Sequence, residues 1–316
     1  MLTASYATAY HAPVLSHAVL NYLITDMDGL YVDATAGGGG HVAALLSGLS
    51  SNGKVIAVDR DPSAIHAVRS RFPEAVHQKQ LMTLRGAFGR LQTLIREYLP
   101  VTGLLLDLGV SSHQLDAGER GFSHRSSAPL DMRMDPDSPT TAADIVNGYA
   151  EKDLVRLLRR YGEEPHARKI CQSIMEHRPV ETTMDLATII RRAVPTKMES
   201  RAVARTFQAL RIAVNQELDE LAQILESSPQ IVSEGGRMVI ISYHSLEDRM
   251  AKRMIRNGAL HGDAQRDVYG NRLVPWKPLT RRPVMPDQVE VKANPRSRSA
   301  RLRVASRTSV SANHSH

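Results

Sequence analysis

In the first third of the chain, apolar residues fall into short continuous runs, separated by longer stretches with helical spacing. Runs that are too short for a helix, and apolar at successive positions, mark strands covered on both faces. They predict strands over Tyr31–Ala36, Val55–Asp59, Met82–Gly86 and Gly103–Leu108. The stretches between them, Gly40–Leu49, Pro62–Arg71 and Phe88–Tyr98, are predicted helices, and the second opens with a proline directly after Asp61, a residue suited to a first helical turn. A parallel neighbour is reached only through a crossover long enough to hold a helix, so this alternation implies a doubly wound parallel sheet.

From about Asp116 the alternation stops. Asp116–Asn147 is rich in Pro, Asp and Ser, whereas Glu151–Arg160, Pro165–Glu176 and Leu186–Val194 carry apolar residues at three- and four-residue spacing, the period of a helix. Thr182 and Asp185 form a capping pair ahead of the last of these. Arg205–Leu225 reads as one long helix, with Phe207, Leu210, Val214, Leu218, Leu221 and Leu225 along one face as core contacts. Gly235–Gly236 then turns into a strand over Met238–Ser242, and a helix follows at Glu247–Ile255. Asn257–Pro286 has little periodicity and reads as a surface loop around the lone Trp276. Val289–Lys292 and Leu302–Ser306 are expected to close the fold as an antiparallel pair turning at Asn294–Ser299, ahead of a frayed tail over 309–316. The expected organisation is a sheet domain over 1–115 and 206–308, interrupted by a loop and helical domain over 116–205.

Composition changes this picture in two ways. The 316 residues are 42% hydrophobic and 23% charged, an ordinary globular balance that excludes collagen-like, disordered and disulfide-scaffold classes. The single cysteine, Cys171, has no partner for an internal disulfide, and neither a secretory leader nor an apolar stretch of roughly 20 residues is visible; a cytosolic protein without membrane contact is expected. Charge is the second change. Residues 249–316 hold 15 Lys and Arg against 4 Asp and Glu, while the rest of the chain carries 25 against 29. The run from Pro295 through Arg296, Arg298, Arg301 and Arg303 is therefore a candidate footprint for phosphates, against the plainer reading of a solvated end.

The strongest chemical signal is Asp33-Ala-Thr-Ala-Gly-Gly-Gly-Gly-His41, placed between an apolar strand and a helix. Glycine there permits a tight turn and lets a ligand touch backbone, and Asp59, at the end of the second strand, can accept hydrogen bonds from ribose hydroxyls. Counted from Gly37, the last glycine of a dinucleotide fingerprint is Val42, so a nucleoside ligand without pyrophosphate fits better, S-adenosylmethionine foremost. Asp107 ends another strand, where ligands of a doubly wound sheet lie; it faces the ligand or caps a turn. His244 is a second candidate general base, or else a residue hydrogen-bonded within its loop. Phe88 covers an adenine face or joins the core. No metal is expected, since histidines are scattered and H-E-x-x-H is absent.

Six segments, Asp107-Leu-Gly-Val-Ser-Ser112, Glu119-Arg-Gly-Phe-Ser123, Pro129-Leu-Asp-Met-Arg-Met-Asp135, Thr206-Phe-Gln-Ala-Leu-Arg211, Ser242-Tyr-His-Ser-Leu-Glu-Asp-Arg249 and Asn294-Pro-Arg-Ser-Arg-Ser299, together resemble the ribosomal RNA small subunit methyltransferase H family, also called MraW. The resemblance runs from about His11 to Thr308. It implies a Rossmann-like methyltransferase sheet with an inserted small helical domain. It also implies S-adenosylmethionine-dependent N4-methylation of a cytidine in the decoding region of 16S ribosomal RNA within the small ribosomal subunit. Cofactor contacts carried over by motif are Gly39, Gly40, His41, Asp59, Phe88, Asp107 and Gln114. The chain departs from the family's habit at Gly38, where an Arg is common, and at His113, where a Pro is common. Two alternatives stay open: a DNA amino-methyltransferase, which would want two prolines and an aromatic where Leu108, Gly109 and Val110 follow Asp107, and a non-catalytic ribosome-assembly protein. A stacking aromatic would have to come from Tyr243 or Phe122.

Overall fold

The computed structural model describes residues 13–110 and 118–310. The chain divides into two compact units, Met1–Gly109 with Leu218–His316, and Val110–Glu217. The first unit begins with α1 (Ser16–Leu23), β1 (Leu30–Asp33), α2 (Gly40–Gly48), β2 (Lys54–Asp59), α3 (Pro62–Arg71), β3 (Leu81–Arg85) and β4 (Val101–Asp107). Asp61 accepts the Ser63 N–H at 3.0 Å ahead of Pro62, so α3 starts where its cap and proline dictate.

The second unit carries α4 (Ala142–Gly148), α5 (Glu151–Gly162), α6 (Ala167–Glu176), α7 (Thr183–Ala193) and α8 (Glu199–Asn215). Their apolar faces close on one core that includes Leu154, Leu158, Ile170, Ile174, Ile190, Phe207 and Leu210. Cys171 is buried in it, and burial, the largest influence, pushes its thiol up to about 12. The Thr182 hydroxyl and the Asp185 carboxylate complete the expected capping box at α7. Within the Pro129–Asp135 motif, Arg133 grips Asp131 with two nitrogens, both at 2.8 Å, and the Arg120 guanidinium donates to the Arg133 and Met134 carbonyls at 2.7 Å.

The chain returns through α9 (Glu217–Ile231), β5 (Val232–Ser242), α10 (Ser245–Asn257), β6 (Trp276–Pro278), α11 (Gln288–Ala293) and β7 (Arg301–Arg307). The sheet runs β3-β2-β1-β4-β5-β7-β6. Its first five strands are parallel, β7 is antiparallel to β5, and β6 is antiparallel to β7. Alternate strand residues feed two cores. Val55, Ala57, Leu105 and Val239 join Val19, Val42, Leu45 and Val68 on one face, and Ile56, Val58, Leu104 and Ile240 join Leu221, Leu225, Met254 and Ile255 on the other. Burial on both faces is why these strands read as continuous apolar runs, and the fold is a doubly wound, Rossmann-like α/β sheet.

Three expectations are corrected. The helix read as Arg205–Leu225 is broken at Gln216, which takes a left-handed conformation at φ 52°. The break follows from Asn215, whose amide donates to the Met132 carbonyl at 2.8 Å and accepts from the Met134 N–H at 2.7 Å. The stretch around Trp276 is not a surface loop throughout, because Trp276 is fully buried and opens strand β6 at the sheet edge. Val289–Lys292 is helix instead of strand, since the Asp287 carboxylate accepts the Glu290 N–H at 2.7 Å and caps a turn there. The partners of β7 are β5 and β6.

Candidate functional site

Asp33, Asp59 and Asp107 are the last residues of β1, β2 and β4, so three carboxylates gather at the carboxyl edge of the sheet. The strand order changes direction between β1 and β4, the crevice where doubly wound sheets hold ligands. Two backbone bonds tie the turn after β1 to both neighbours: Ala34 N–H to the Leu105 carbonyl and Ala36 N–H to the Val58 carbonyl, each at 3.0 Å. The turn then needs glycine. Gly37 and Gly39 have φ of 48° and 76°, and a Cβ on Gly39 would sit 3.0 Å from the Phe72 ring.

Asp59 closes the turn from below. Its Oδ2 accepts the Gly37 N–H and its Oδ1 the Asp61 N–H, both at 2.8 Å. One lone pair on each oxygen remains for an outside donor. Burial is the largest influence on this carboxyl and raises it to about 6 against the two amide bonds.

Asp33 is fully buried. Its Oδ1 accepts the Thr35 N–H at 3.1 Å, while Oδ2 has no hydrogen-bond partner. Burial raises it too to about 6, opposed by the nearby His41. Thr35 links the strand ends, its hydroxyl oxygen accepting the Asp107 N–H at 2.7 Å. Asp107 is held from two further sides: the Tyr243 hydroxyl donates to Oδ1 at 2.9 Å, and His41 Nε2 lies 3.4 Å from Oδ2. His41 stands in the first turn of α2, and neither ring nitrogen makes a hydrogen bond. Burial works against its cationic form, yet Asp107 and then Asp33 outweigh that, and its pKa is raised. The same desolvation, reinforced by Asp107, raises the Tyr243 hydroxyl well above its usual range.

The remaining expected residues divide. Gly39, Gly40 and His41 stand at the start of α2 on this edge. Phe88 lies half-buried in a single helical turn after β3, packed against the sheet core. The next residue, Gly89, donates its N–H to Glu220 at 2.8 Å, and Glu220 also pairs with Arg60 at 3.1 Å. Gln114 and His113 lie outside the described residues. His244 caps α10: its Nδ1 accepts the Glu247 N–H at 3.4 Å and its Nε2 sits 3.1 Å from the Glu247 carboxylate. Phe122 belongs to the core of the second unit. Among the basic residues near the C-terminal end, Arg303 is pinned to Asp248 at 2.7 and 3.1 Å, and Arg301 reaches the same carboxylate at 3.2 Å. Burial raises the Asp248 carboxyl, but these arginines outweigh it and hold the group below its ordinary value.

Sequence reasoning passed over Thr35 and the polar role of Tyr243. The signal for Thr35 was its place two residues after the strand-end acid, where a hydroxyl commonly bonds the neighbouring backbone. Nothing local signals the Tyr243 bond, which joins residues 136 apart.

A glycine turn, a row of strand-end acids and an antiparallel strand beside the last parallel one place the first unit among the Rossmann-like α/β proteins that hold a ligand at the carboxyl edge. The chain belongs to the MraW methylase family, whose sequence model matches residues 8–308. It is 42% identical to the ribosomal RNA small subunit methyltransferase H of Flavobacterium johnsoniae over 301 residues, covering 94% of this chain and 97% of that protein. It is 44% identical to the protein of the same name from Synechococcus elongatus, with 94% and 95% covered. The crystal structure of an rRNA methylase from Streptococcus thermophilus superposes over 93% of each chain with a TM-score of 0.38 and 14% identity.

Proposed function

We propose that this protein is an S-adenosylmethionine-dependent ribosomal RNA methyltransferase that modifies N4 of a cytidine in the decoding region of 16S ribosomal RNA in the small subunit. The observation that carries it is the gathering of the glycine turn, Asp59 and Asp107 on one sheet edge in a chain of the MraW methylase family. The residues present fit the cofactor. Asp59 keeps acceptor capacity on both oxygens for a ribose diol, and Asp33 Oδ2 and the His41 ring are buried polar groups without hydrogen-bond partners. A full polar complement for such groups is the norm. Bound there, S-adenosylmethionine supplies a methyl group already activated on its sulfonium.

The rest falls to the chain. A cytosine amino nitrogen is a weak nucleophile because its lone pair is delocalised into the ring. Holding it in line contributes up to about 7–11 kcal/mol in well-oriented systems. A proton must then leave the methylated nitrogen, and Asp107 Oδ2, unclaimed by Tyr243, is the acceptor at the strand end. His41, at 3.4 Å, is placed to share that proton. His244 Nδ1 accepts the Glu247 N–H as the cap of α10 and its Nε2 faces the Glu247 carboxylate at 3.1 Å without a hydrogen bond, so the acceptor role is assigned to Asp107, which ends its strand on the edge with the glycine turn.

Incubation with methyl-labelled cofactor and small subunits, ribosomal RNA or DNA tests the reading, with digestion to nucleosides and identification of N4-methylcytidine. Asp107→Asn preserves shape but not proton affinity, and single-turnover methyl transfer should fall by about 10²–10⁴ while RNA still binds. Label recovered in DNA alone, or a full rate in the Asn variant, would overturn the respective part.

A further inference from the structure

The run Asn294–Ser299 leads into β7, whose first residue, Arg301, pairs with Ser242 at the end of β5. In the neighbouring pairing, Asp107 lies against Ile241. The antiparallel turn-back of β7 therefore delivers its basic start to the same sheet edge as Asp107. A second basic segment arrives there from the other side. β6 ends at Pro278 against Ala305, and the chain continues along β7 until Val284 and Leu302 exchange backbone bonds at 2.8 and 2.9 Å. Arg281 and Arg282, both exposed, lie just before that bridge.

The local build presents these side chains outward. The Asn294 carboxamide oxygen accepts the Arg296 N–H at 3.2 Å, and the Ser297 hydroxyl donates to the Asn294 carbonyl at 2.8 Å. Asn294, Ser297 and Ala300 are buried, and Arg296 and Arg298 between them are exposed. The acids of this stretch are engaged otherwise: Asp287 caps α11, and Glu290 accepts the Leu15 N–H at 2.7 Å. Arg281, Arg282 and Arg298 make no ion pair among the described residues. Exposed guanidiniums without an ion pair, carried on segments that converge on one sheet edge, are the pattern that phosphate backbones bind.

We infer that Arg281, Arg282 and Arg298 form a phosphate-binding rim beside the methyl-transfer edge, on which the RNA backbone flanking the target nucleotide rests. The inference builds on the ribosomal RNA reading above. It removes Arg303 from the RNA surface, because Asp248 holds it, and adds two arginines outside the Arg-rich run.

The test measures binding of a decoding-region RNA fragment by the full chain at increasing salt. The variant carries Arg281→Gln, Arg282→Gln and Arg298→Gln together. Each phosphate contact on a single strand contributes a slope of about 0.7 in log affinity against log salt, so the triple variant should lose about 2 from its slope. Its KM for RNA should rise at least tenfold, with calorimetric S-adenosylmethionine affinity and melting temperature unchanged. A control pair, Arg266→Gln with Arg272→Gln, sits on the hairpin preceding Trp276, which pairs with Arg307 at the opposite end of β7, and should keep the parent slope. A triple variant with the parent's slope, or a control pair losing as much, overturns the rim and leaves the enzyme's assignment standing. A parent chain that binds the RNA at no salt concentration overturns both.

Discussion

Asp33 shows the tension between stability and chemistry in one side chain. A carboxyl that ionises near 3.8 in the unfolded chain and at about 6 when folded binds more protons in the native state between those values. Folding stability contributed by this group is therefore intact below about pH 4, declines as pH rises through 6, and is missing above it. About two units correspond to about 3 kcal/mol. Asp33→Asn keeps the acceptor for Thr35 and abolishes the titration. The apo variant should be more stable than the parent at pH 7.5 by about 1–3 kcal/mol in denaturant melts, with the gap closing toward pH 4, and should lose methyl transfer. A gap that does not depend on pH would locate the strain elsewhere. Tyr243 acts on the neighbouring carboxylate. Tyr243→Phe deletes one donor to Asp107, and kcat should fall about tenfold, the worth of one hydrogen bond to a charged group. A kcat equal to the parent's would deny Tyr243 that role.

At the scale of elements, what the sequence discloses and what it hides separate by range. The first strand, read as Tyr31–Ala36 and found at Leu30–Asp33, the glycine turn and the acid at Asp59 are legible because their signals are local: an apolar run, residues tolerant of positive φ, and a carboxylate at the next strand end. The α7 cap is legible for the same reason, with Thr182 and Asp185 three residues apart. The break at Gln216 is hidden because Asn215 takes its partners from Met132 and Met134, more than eighty residues away. Strand β6 is hidden because three residues are too few to show a period. The alternation Val289, Glu290, Val291, Lys292 suits a strand, and the cap from Asp287 decides otherwise. Asn215→Ala should expose this long-range dependence. It leaves the Met134 N–H and the Met132 carbonyl buried without partners, each costing about 1–3 kcal/mol, so the denaturant midpoint of the second unit should fall sharply. A midpoint within error of the parent would show that α8 ends there for another reason.

Over the whole molecule, the two units each contain one residue type found nowhere else in the chain. Trp276 is the sole tryptophan, buried at the edge of the sheet; Cys171 is the sole cysteine, buried in the helical core with its thiol pushed up to about 12. The natural sequence thus carries its own pair of probes. Indole emission reports on the first unit alone, and reaction with a thiol reagent, which needs an exposed thiolate, reports on the second alone. Followed together through a urea titration, the two signals should coincide if the units unfold as one and separate if they do not. In the Asn215→Ala protein, labelling of Cys171 should accelerate at urea concentrations where Trp276 emission is still native, a divergence readable without a genetic tag or a second mutation.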